Sequence, residues 1–538
     1  MVAIWPRWAL LVASLVHGVV SFMFGRCPRH DQPSAGVSIT FHRSHTESQI
    51  SEEESLRHAV VEALHPVFFP KDDTTNFPAE VSLKRALKKR QNDWSGFGRR
   101  LSSLVLGVSV MRLRHWYTAS VRDSVAYPLP RPLEASLRAS LPFSFDNADS
   151  GVLLQKQLIH AMIDEHAKYL ENSDDVSMFP ADDEAVSLSL QYSLPTFITR
   201  PILEQYGGDQ SRRIFSVMNR PGPITLRRNA MRFALSDQDL CDWLGLEDDI
   251  EARPLSTMLE NQEPVELGRA DAPRVTIGRS KGFEPPDGAI HVSCLSKSIW
   301  SSKAWQQGFF EVQDAGSQFI VQSLELHGNT SHQRILDLCA GNGGKTFAMA
   351  STACNCHIVA HDIVEERLRQ IKGSLPRVGF KAEDENARFN ETIFVSEAAN
   401  NKCTIQIATS LDRMSSFDTV LVDAPCSSSG VLRRRPSQRW DLTAESIDTL
   451  KELQLEILIN ASSLVKPGGS LVYSTCSLLR SENEDVVQGF EKSNLTDDFT
   501  RWNFGDKLRL GGLQHAVTIL PTEHGSDGFF VARWKKRH

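Results

Sequence analysis

Residues 418–436 read DTVLVDAPCSSSGVLRRRP, and this stretch decides the fold. Its apolar, β-branched run at 419–422 predicts a buried strand. A carboxylate, Asp423, and a thiol, Cys426, follow the strand directly, and a Ser/Gly loop with three arginines comes next. In an open α/β sheet, ligands bind outside the carboxyl ends of the strands. We therefore expect chemistry where this strand ends.

A second thiol follows another predicted strand in the same way. The run at 470–473 leads into Ser-Thr-Cys-Ser, which places Cys476 in a polar loop, and the turn signal KPGG precedes the strand. A free cysteine is more often a small buried apolar residue than a reactive one. Because both thiols follow strands directly and lie in polar loops, we interpret them as functional and expect them to lie close together.

Strand-like and helix-like segments alternate from Gly308 onward. This alternation predicts a doubly wound, mostly parallel α/β sheet. The predicted strands are 335–338, 358–360, 405–408, 419–422 and 470–473. The predicted helices between them are 346–353, 363–372 and 444–465.

A glycine-rich segment, ILDLCAGNGGKT at 335–346, joins the first of these strands to a helix. Small residues let a backbone approach a ligand closely, and a helix N-terminus offers unpaired N–H groups. Asp362 ends the next strand, where a carboxylate suits ribose hydroxyls. Because G-x-G-x-x-G is absent, a dinucleotide is the weaker interpretation. The candidate cofactor residues are Cys339, Ala340, Gly341, Asn342, Gly343, Gly344, Lys345, Asp362 and Asp423.

Length and composition set broad limits on the class of protein. A chain of 538 residues predicts two to four domains, and 41% hydrophobic with 23% charged residues is ordinary for a globular protein. The net charge of −7 excludes global basicity, so any nucleic-acid binding must use local patches. The nine cysteines form no zinc-type pairs, which predicts free thiols and no metal.

The N-terminal residues, 1–50, read as a targeting presequence. Apolar runs at 9–16 and 19–24 are too short for a comfortable membrane span, and 25–46 is basic with one acid. We predict import into an organelle, a plastid before a mitochondrion, and no membrane association of the mature form. A short membrane anchor or a misassigned start is the alternative.

The region 51–194 reads as helical, with an apolar stripe at 99–117, and 195–307 reads as a small α+β domain. In the small domain we expect strands at 275–277 and 289–292 and a helix at 237–246. The helical region carries basic side chains that are either a solvated face or a phosphate-binding patch. They are Lys84, Arg85, Lys88, Lys89, Arg90, Arg99, Arg100, Arg112 and Arg114.

In this order, the motifs resemble the Sun family of RNA cytosine-5 methyltransferases, most closely the branch that modifies small-subunit ribosomal RNA. The resemblance covers about the last three-fifths of the chain. It rests on GFFEVQDAGSQ, ILDLCAGNGGKT, DAPCSSSG, LRRRPSQRWDLT, YSTCS followed by ENE, and LPTEHGSDGFFVARWKK. Where the family usually has proline or alanine, this chain has Asn342, which is a mild departure because the glycines remain.

The resemblance implies a Rossmann-like class I methyltransferase domain at 308–538 that uses S-adenosylmethionine, preceded by a NusB-like RNA-binding domain at 51–194. It implies that Cys476 adds to carbon 6 of cytosine, Cys426 assists release, and Asp423 hydrogen-bonds the ring near nitrogen 3. A basic cluster is expected either to hold flanking RNA phosphates or to form a solvated loop. Its members are Arg433, Arg434, Arg435 and Arg439.

Alternative functions remain open from the sequence. The substrate is expected to be ribosomal RNA and the enzyme a monomer, but a tRNA methyltransferase has the same motifs. A DNA cytosine-5 methyltransferase attacks with the Pro-Cys thiol and gives the second cysteine no role. A non-catalytic ribosome-assembly factor needs neither thiol, and binding of S-adenosylmethionine would discriminate against it.

Overall fold

The computed structural model describes residues 47–69, 79–89, 96–123, 127, 152–171, 179, 182–260, 286–295, 298–326, 332–353, 355–384, 392–398, 401–411, 414, 416–494, 497–504 and 515–538. These residues divide into two compact units. The sheet unit comprises the described residues of 220–434 and 444–538, and the helical unit comprises those up to 219 together with 435–443. Nearly all of the predicted presequence lies outside the described residues.

The helical unit packs its helices around one apolar core. On the first helix, Leu56, Val60 and Leu64 are fully buried at a spacing of four, which places them on one face. The stripe predicted at 99–117 is two helices separated by a turn at Met111. The helices are α1 Glu47–Phe68, α2 Ala79–Lys89, α3 Gly96–Val110, α4 Arg112–Asp123, α5 Val152–Glu171, α6 Glu184–Tyr192 and α7 Thr196–Met218.

Helix α7 clusters with the helical unit, although the sequence assigned residues from 195 onward to the small α+β domain. The change of unit falls between Asn219 and Arg220. The other proposed domain limits stay predictions. The reason for the difference is burial, because Ile198, Ile202 and Ile214 are fully buried and α7 packs against α6.

A four-stranded antiparallel sheet begins the sheet unit, in the order β2-β3-β1-β4. It confirms the strand predicted at 289–292 and the helix predicted at 237–246, whereas 275–277 lies outside the described residues. The strands are β1 Ile224–Arg228, β2 Ile250–Pro254, β3 Ala289–Leu295 and β4 Phe310–Val312. The accompanying helices are α8 Asp237–Asp248, α9 Leu255–Glu260 and α10 Lys303–Gln306.

The main sheet has five parallel strands at its centre, β11-β10-β5-β6-β9, and antiparallel strands at both edges. This confirms the doubly wound sheet and each of its predicted central strands. The strands are β5 Gln333–Asp337, β6 Cys356–His361, β7 Phe380–Ala382, β8 Ile393–Ser396, β9 Thr404–Ala408, β10 Phe417–Asp423, β11 Val465–Thr475, β12 Phe499–Arg501, β13 Ala516–Ile519 and β14 Phe529–Lys536. The helices are α11 Ala315–Gln322, α12 Gly344–Thr352, α13 Glu365–Val378, α14 Ala444–Ser462, α15 Glu484–Glu491 and α16 Pro521–His524.

Alternate residues of β10 supply the two apolar cores that cover the two faces of the sheet. Leu421 packs in the core that contains Phe347 of α12, whereas Val420 and Val422 pack in the core that contains Leu458 of α14. Successive side chains of a strand point to opposite faces, so a continuous apolar run is what a strand covered on both faces requires.

The strand order reverses at β5, which has β6 on one side and β10 on the other. At such a switch point a crevice opens outside the carboxyl ends of the strands. Asp337, Asp423 and Thr475 stand at those ends. Within the ranges given above, no helix is long and apolar enough to cross a membrane.

Candidate active site

Two thiols face each other beyond the ends of adjacent parallel strands. Strands β10 and β11 are in register with Asp423 opposite Ser474, and each strand continues into a loop that carries one cysteine. The Sγ atoms of Cys426 and Cys476 lie 3.3 Å apart, and both residues are partly exposed. The prediction that the strand-end cysteines lie close together is confirmed.

The surroundings of the two thiols shift their pKa values in opposite directions. The hydrogen bond from Cys426 lowers the pKa of Cys476 against the opposing effect of burial, and Ser428 and the charge of Lys345 lower it further. The hydrogen bond with Cys476 raises the pKa of Cys426 well above its ordinary value, and burial and the negative charge of Glu482 raise it further. Cys476 is therefore the thiol that ionises first, with the S–H of Cys426 donating to it.

A lysine from the glycine-rich segment holds the carboxylate at the end of β10. The Nζ of Lys345 donates to Oδ2 of Asp423 at 2.6 Å, and the hydroxyl of Ser474 donates to Oδ1 at 2.9 Å. Burial alone would lower the pKa of Lys345, but the charge and hydrogen bond of Asp423 raise it. The raised pKa keeps Lys345 charged, and the hydrogen bonds hold both side chains in fixed positions beside the thiols.

The glycine-rich segment turns on two residues with left-handed backbone, Gly341 at φ 55° and Gly343 at φ 87°. A Cβ added at Gly341 would meet no atom within 4 Å, so this backbone borders open space. The segment ends at the N-terminus of α12, whose first-turn N–H groups are available to an anionic group. A bare backbone beside a helix N-terminus fits a cofactor that carries a carboxylate.

Asp362 supports the turn from the neighbouring strand. Its Oδ2 accepts the N–H of Gly341 at 2.9 Å, its Oδ1 accepts the N–H of Val364 at 2.8 Å, and Arg367 pairs with it at 3.2 Å. The side chain is 3% exposed. Asp362 is therefore fixed under the glycine turn, and its predicted bond to ribose hydroxyls stays a prediction.

A buried carboxyl lies beneath the same turn. Oδ2 of Asp337 accepts the hydroxyl of Thr346 at 2.7 Å, which ties the end of β5 to the first turn of α12. Burial raises the pKa of Asp337 to about 7, and the negative charges of Asp423 and Asp362 contribute to the increase. The carboxyl proton of Asp337 is therefore retained up to near-neutral pH.

The arginine loop after the first thiol corrects the sequence interpretation. Arg433 is 2% exposed, and its guanidinium donates to Oδ1 of Asp527 and to the carbonyl of Ser526, both at 2.5 Å. Arg434 pairs with Asp527 and, at 2.7 Å, with Asp314. Arg433 was expected either to contact RNA phosphates or to lie in a solvated loop, but it is buried and its charge anchors the loop inside the protein. The side chain of Arg434 is 33% exposed, so phosphate contact by it stays a prediction.

Arg439 is also buried, within the helical unit. It is fully buried and donates to Oδ1 of Asn219 at 2.7 Å and to the carbonyls of Met218 and Ser193. The predicted phosphate contact of Arg439 is wrong, because its buried guanidinium donates hydrogen bonds to carbonyl oxygens inside the helical unit. Arg435 is half-buried, and its RNA contact stays a prediction.

Some basic side chains of the helical unit are buried, and others are exposed. Arg112 stacks on Phe68 and Trp440 and is 4% exposed, so it is a core residue. Arg114 is 6% exposed and stacks on Tyr169 and Phe179. Among the side chains that the structure describes on α2, Lys84, Arg85 and Lys88 are exposed and form a basic face.

Two buried acidic residues of the thiol and arginine loops were missed from the sequence. Glu482 is fully buried between the two loops, and Asp527 anchors the arginines. The only sequence signal for Glu482 was its place in the motif ENE, to which no role was given. In the described part of the chain, no group of three or more His, Cys, Asp or Glu side chains is arranged to hold a metal.

Comparison with known proteins shows a similarity that includes the site. Residues 323–535 match the family model described as 16S rRNA methyltransferase RsmB/F. These residues are therefore similar to the RsmB/F family. All of the thiol and carboxylate residues described above, from Asp337 to Glu482, lie inside the RsmB/F match, whereas Asp314 lies outside it.

Individual proteins are also similar to this chain. Ribosomal RNA small subunit methyltransferase B from Klebsiella pneumoniae (strain 342) is 33% identical over 258 residues, which are 48% of this chain and 54% of that protein. The probable ribosomal RNA small subunit methyltransferase B from Bacillus subtilis (strain 168) is 27% identical over 363 residues, 66% of this chain and 69% of that protein. The chain thus spans about half the length of the Klebsiella relative.

A solved structure extends the similarity beyond the RsmB/F residues at the level of the fold. The crystal structure of PH0851 superposes with a TM-score of 0.59 and 21% identity. The match covers 89% of this chain and 98% of that one. The two chains therefore have the same fold.

Proposed function

We propose that this protein transfers a methyl group from S-adenosylmethionine to carbon 5 of a cytosine in RNA, with ribosomal RNA of the small subunit as the substrate. The observation that carries the proposal is the pair of facing thiols with opposite pKa shifts, next to the ion pair of Lys345 and Asp423. A cytosine ring needs a covalent nucleophile before its carbon 5 can attack a methyl group, and this site has one thiol poised to ionise.

The lowered pKa of Cys476 supports it as the nucleophile. Its thiolate adds to carbon 6 of cytosine, and the electron pair of the 5,6 double bond becomes available at carbon 5. Asp423, fixed by Lys345 and Ser474, is suited to hydrogen-bond the ring near nitrogen 3. When bound, S-adenosylmethionine supplies an electrophilic methyl group, and the glycine turn at Gly341 with the N-terminus of α12 would hold its methionine carboxylate.

Release requires removal of the proton at carbon 5, and Cys426 is suited to this step. In the resting site, its pKa is raised chiefly by Cys476. Once Cys476 is bonded to carbon 6, that negative charge is gone and the pKa of Cys426 falls. Cys426 then loses its proton to solvent water, and the resulting thiolate accepts the carbon 5 proton. The double bond re-forms, and Cys476 leaves as a thiolate by β-elimination.

The choice of RNA over other substrates rests on two arguments. A DNA-type mechanism uses the Pro-Cys thiol, here Cys426, as nucleophile, and its raised pKa makes it the less available thiolate. The names of the Klebsiella and Bacillus relatives support ribosomal RNA over tRNA. The target base must be single-stranded or flipped out, which costs about a few kcal/mol.

The test is methyl transfer by the purified full chain. Small-subunit ribosomal RNA transcripts, tRNA transcripts and duplex DNA are incubated with labelled S-adenosylmethionine, and bisulfite sequencing locates 5-methylcytosine. We expect label in ribosomal RNA at one or few cytosines. Transfer only to tRNA or DNA would replace the substrate. No transfer to any of the three, together with no binding of S-adenosylmethionine, would favour an assembly factor.

For the N-terminal residues, we propose import into an organelle, with a plastid favoured, as a monomeric enzyme. The support is the composition of 1–50, an apolar core followed by a basic stretch poor in acids. Fusion of these residues to a fluorescent reporter tests the destination, and a diffuse cytosolic signal would refute import. Light scattering of the purified chain tests the monomer.

A further inference from the structure

The two loops that carry the thiols share one acidic partner. Ser427, next to Cys426, donates its backbone N–H to Oε1 of Glu482 at 2.7 Å and its hydroxyl to Oε2 at 2.5 Å. Ser477, next to Cys476, donates its hydroxyl to the same Oε2 at 2.5 Å. One carboxylate therefore bonds to the residue that follows each thiol.

Glu482 is itself held from two other sides. Gln454 of α14 donates to Oε1 at 3.0 Å and also to the carbonyl of Pro425 at 2.8 Å. The phenol of Tyr473, on β11, donates to the backbone carbonyl of Glu482 at 2.6 Å. Glu482 is fully buried, and its carboxylate is fixed by hydrogen bonds from α14 and both loops, while its backbone is fixed by one from β11.

We propose that Glu482 is a positioning residue that clamps the Cys426 and Cys476 loops together and keeps Cys426 protonated while Cys476 ionises. A buried carboxylate with four hydrogen-bond donors is costly unless all of them are in place, so displacing either loop breaks the arrangement. The difference in ionisation between Cys426 and Cys476 thus depends on the position of Glu482, whose side chain does not touch the reacting atoms.

The charge of Glu482 acts on the Cys426 thiol. Its negative charge contributes to the raised pKa of Cys426. Burial raises the pKa of Glu482 itself, and its bonds from Ser427, Ser477 and Gln454 oppose that increase. Burial of the Glu482 carboxylate thus lowers the stability of the fold. Its negative charge disfavours ionisation of Cys426, the thiol that acts after Cys476.

This inference deepens the proposed function and rests on it for its meaning, but its test needs neither RNA nor S-adenosylmethionine. Full-length protein is alkylated with iodoacetamide across a pH series, and mass spectrometry follows the rate at each thiol. In the unaltered protein, Cys476 should react first, and Cys426 only at distinctly higher pH.

Glu482→Gln keeps the size of the side chain and removes its charge. We expect the apparent pKa of Cys426 to fall and the preference for Cys476 to shrink by about tenfold, the effect of one pKa unit. Glu484→Gln is the matched control, because Glu484 lies in the same motif and accepts no bond from Ser427 or Ser477 in the structure. Its alkylation profile should equal that of the unaltered protein.

A folded Glu482→Gln protein with an unchanged alkylation profile overturns the inference. If that variant does not fold, Ser427→Ala decides, because it removes one hydroxyl from the clamp and leaves the backbone bond. It must shift the profile in the same direction, and an unchanged profile again overturns the inference. A protein that transfers no methyl group but shows these shifts would refute the proposed function and leave the clamp intact.

Discussion

Lys345 donates to Asp423 across 2.6 Å, and this bond joins the glycine-rich segment to the strand that leads to the first thiol. The ammonium group has a second effect, because its charge lowers the pKa of Cys476. One side chain therefore links the predicted cofactor site, the carboxylate and the nucleophile.

Replacing Lys345 tests that link. Lys345→Met removes the charge and keeps most of the apolar length, so the pKa of Cys476 should rise and Asp423 should lose its orientation. We expect kcat/KM for methyl transfer to fall on the order of 100-fold, the scale of a lost acid–base contribution. The pH dependence of Cys476 alkylation measures the shift. Lys466→Met, which removes a lysine paired with Asp418, is the control and should leave the profile unchanged.

Removing each thiol should cause a different failure. Cys476→Ala cannot form the bond to carbon 6, so it should neither methylate RNA nor become linked to it. Cys426→Ala can still attack, but release should stall, so a covalent protein–RNA complex should accumulate and survive denaturation. A denaturing gel after incubation with RNA and S-adenosylmethionine shows the shifted band. A band from Cys476→Ala and none from Cys426→Ala would exchange the two roles.

Gly430 lies where two loops touch. A Cβ there would come 2.2 Å from the carbonyl oxygen of Gly528 and 2.9 Å from that of Cys476, so Gly430→Ala must move backbone. We expect a loss of about 1–3 kcal/mol in the free energy of unfolding and a larger loss of activity. Gly373→Ala is the control, because its Cβ would meet nothing within 4 Å and helix propensity favours alanine. Urea denaturation measures both, and equal stability of the two variants would contradict the prediction.

His291 on β3 should make the sheet unit sensitive to acid. Burial lowers its pKa from 6.5 to about 4, so the folded state keeps it neutral where the unfolded state takes up a proton. Stability is therefore full above pH 6.5 and falls as the pH decreases toward 4, by up to ~1.4 kcal/mol per pH unit. Urea midpoints between pH 7 and pH 4 should fall more steeply for the unaltered protein than for His291→Gln. Parallel curves would refute this assignment.

The centre of the fold could be predicted because it depends on local pattern. The apolar, β-branched runs at β5, β6, β9, β10 and β11 are buried on both faces, and that leaves a continuous signal in the sequence. The thiols could be placed because each follows its strand directly, and parallel strands end at one edge. Predicting that Cys426 and Cys476 lie close together required no knowledge of contacts between distant parts of the chain.

The basic residues were misjudged because their partners are distant in the chain. Arg433 pairs with Asp527, 94 residues later, and Arg439 with Asn219, 220 residues earlier. A run of arginines in a polar loop looks solvated until such partners are known. The role of Glu482 was not predicted for a related reason. Its hydrogen-bond donors come from two loops and a helix that meet only in the tertiary structure.

The dependence of Arg433 on Asp527 also sets the order of events during synthesis. The loop after the first thiol is made well before Asp527, so for that interval the Arg433 guanidinium lacks the counter-charge with which it is buried in the folded protein. Gly528, whose carbonyl touches Gly430, is added one residue later still. The nascent chain therefore carries both cysteines before it can hold them in place, and competence for catalysis arrives only with the final strands.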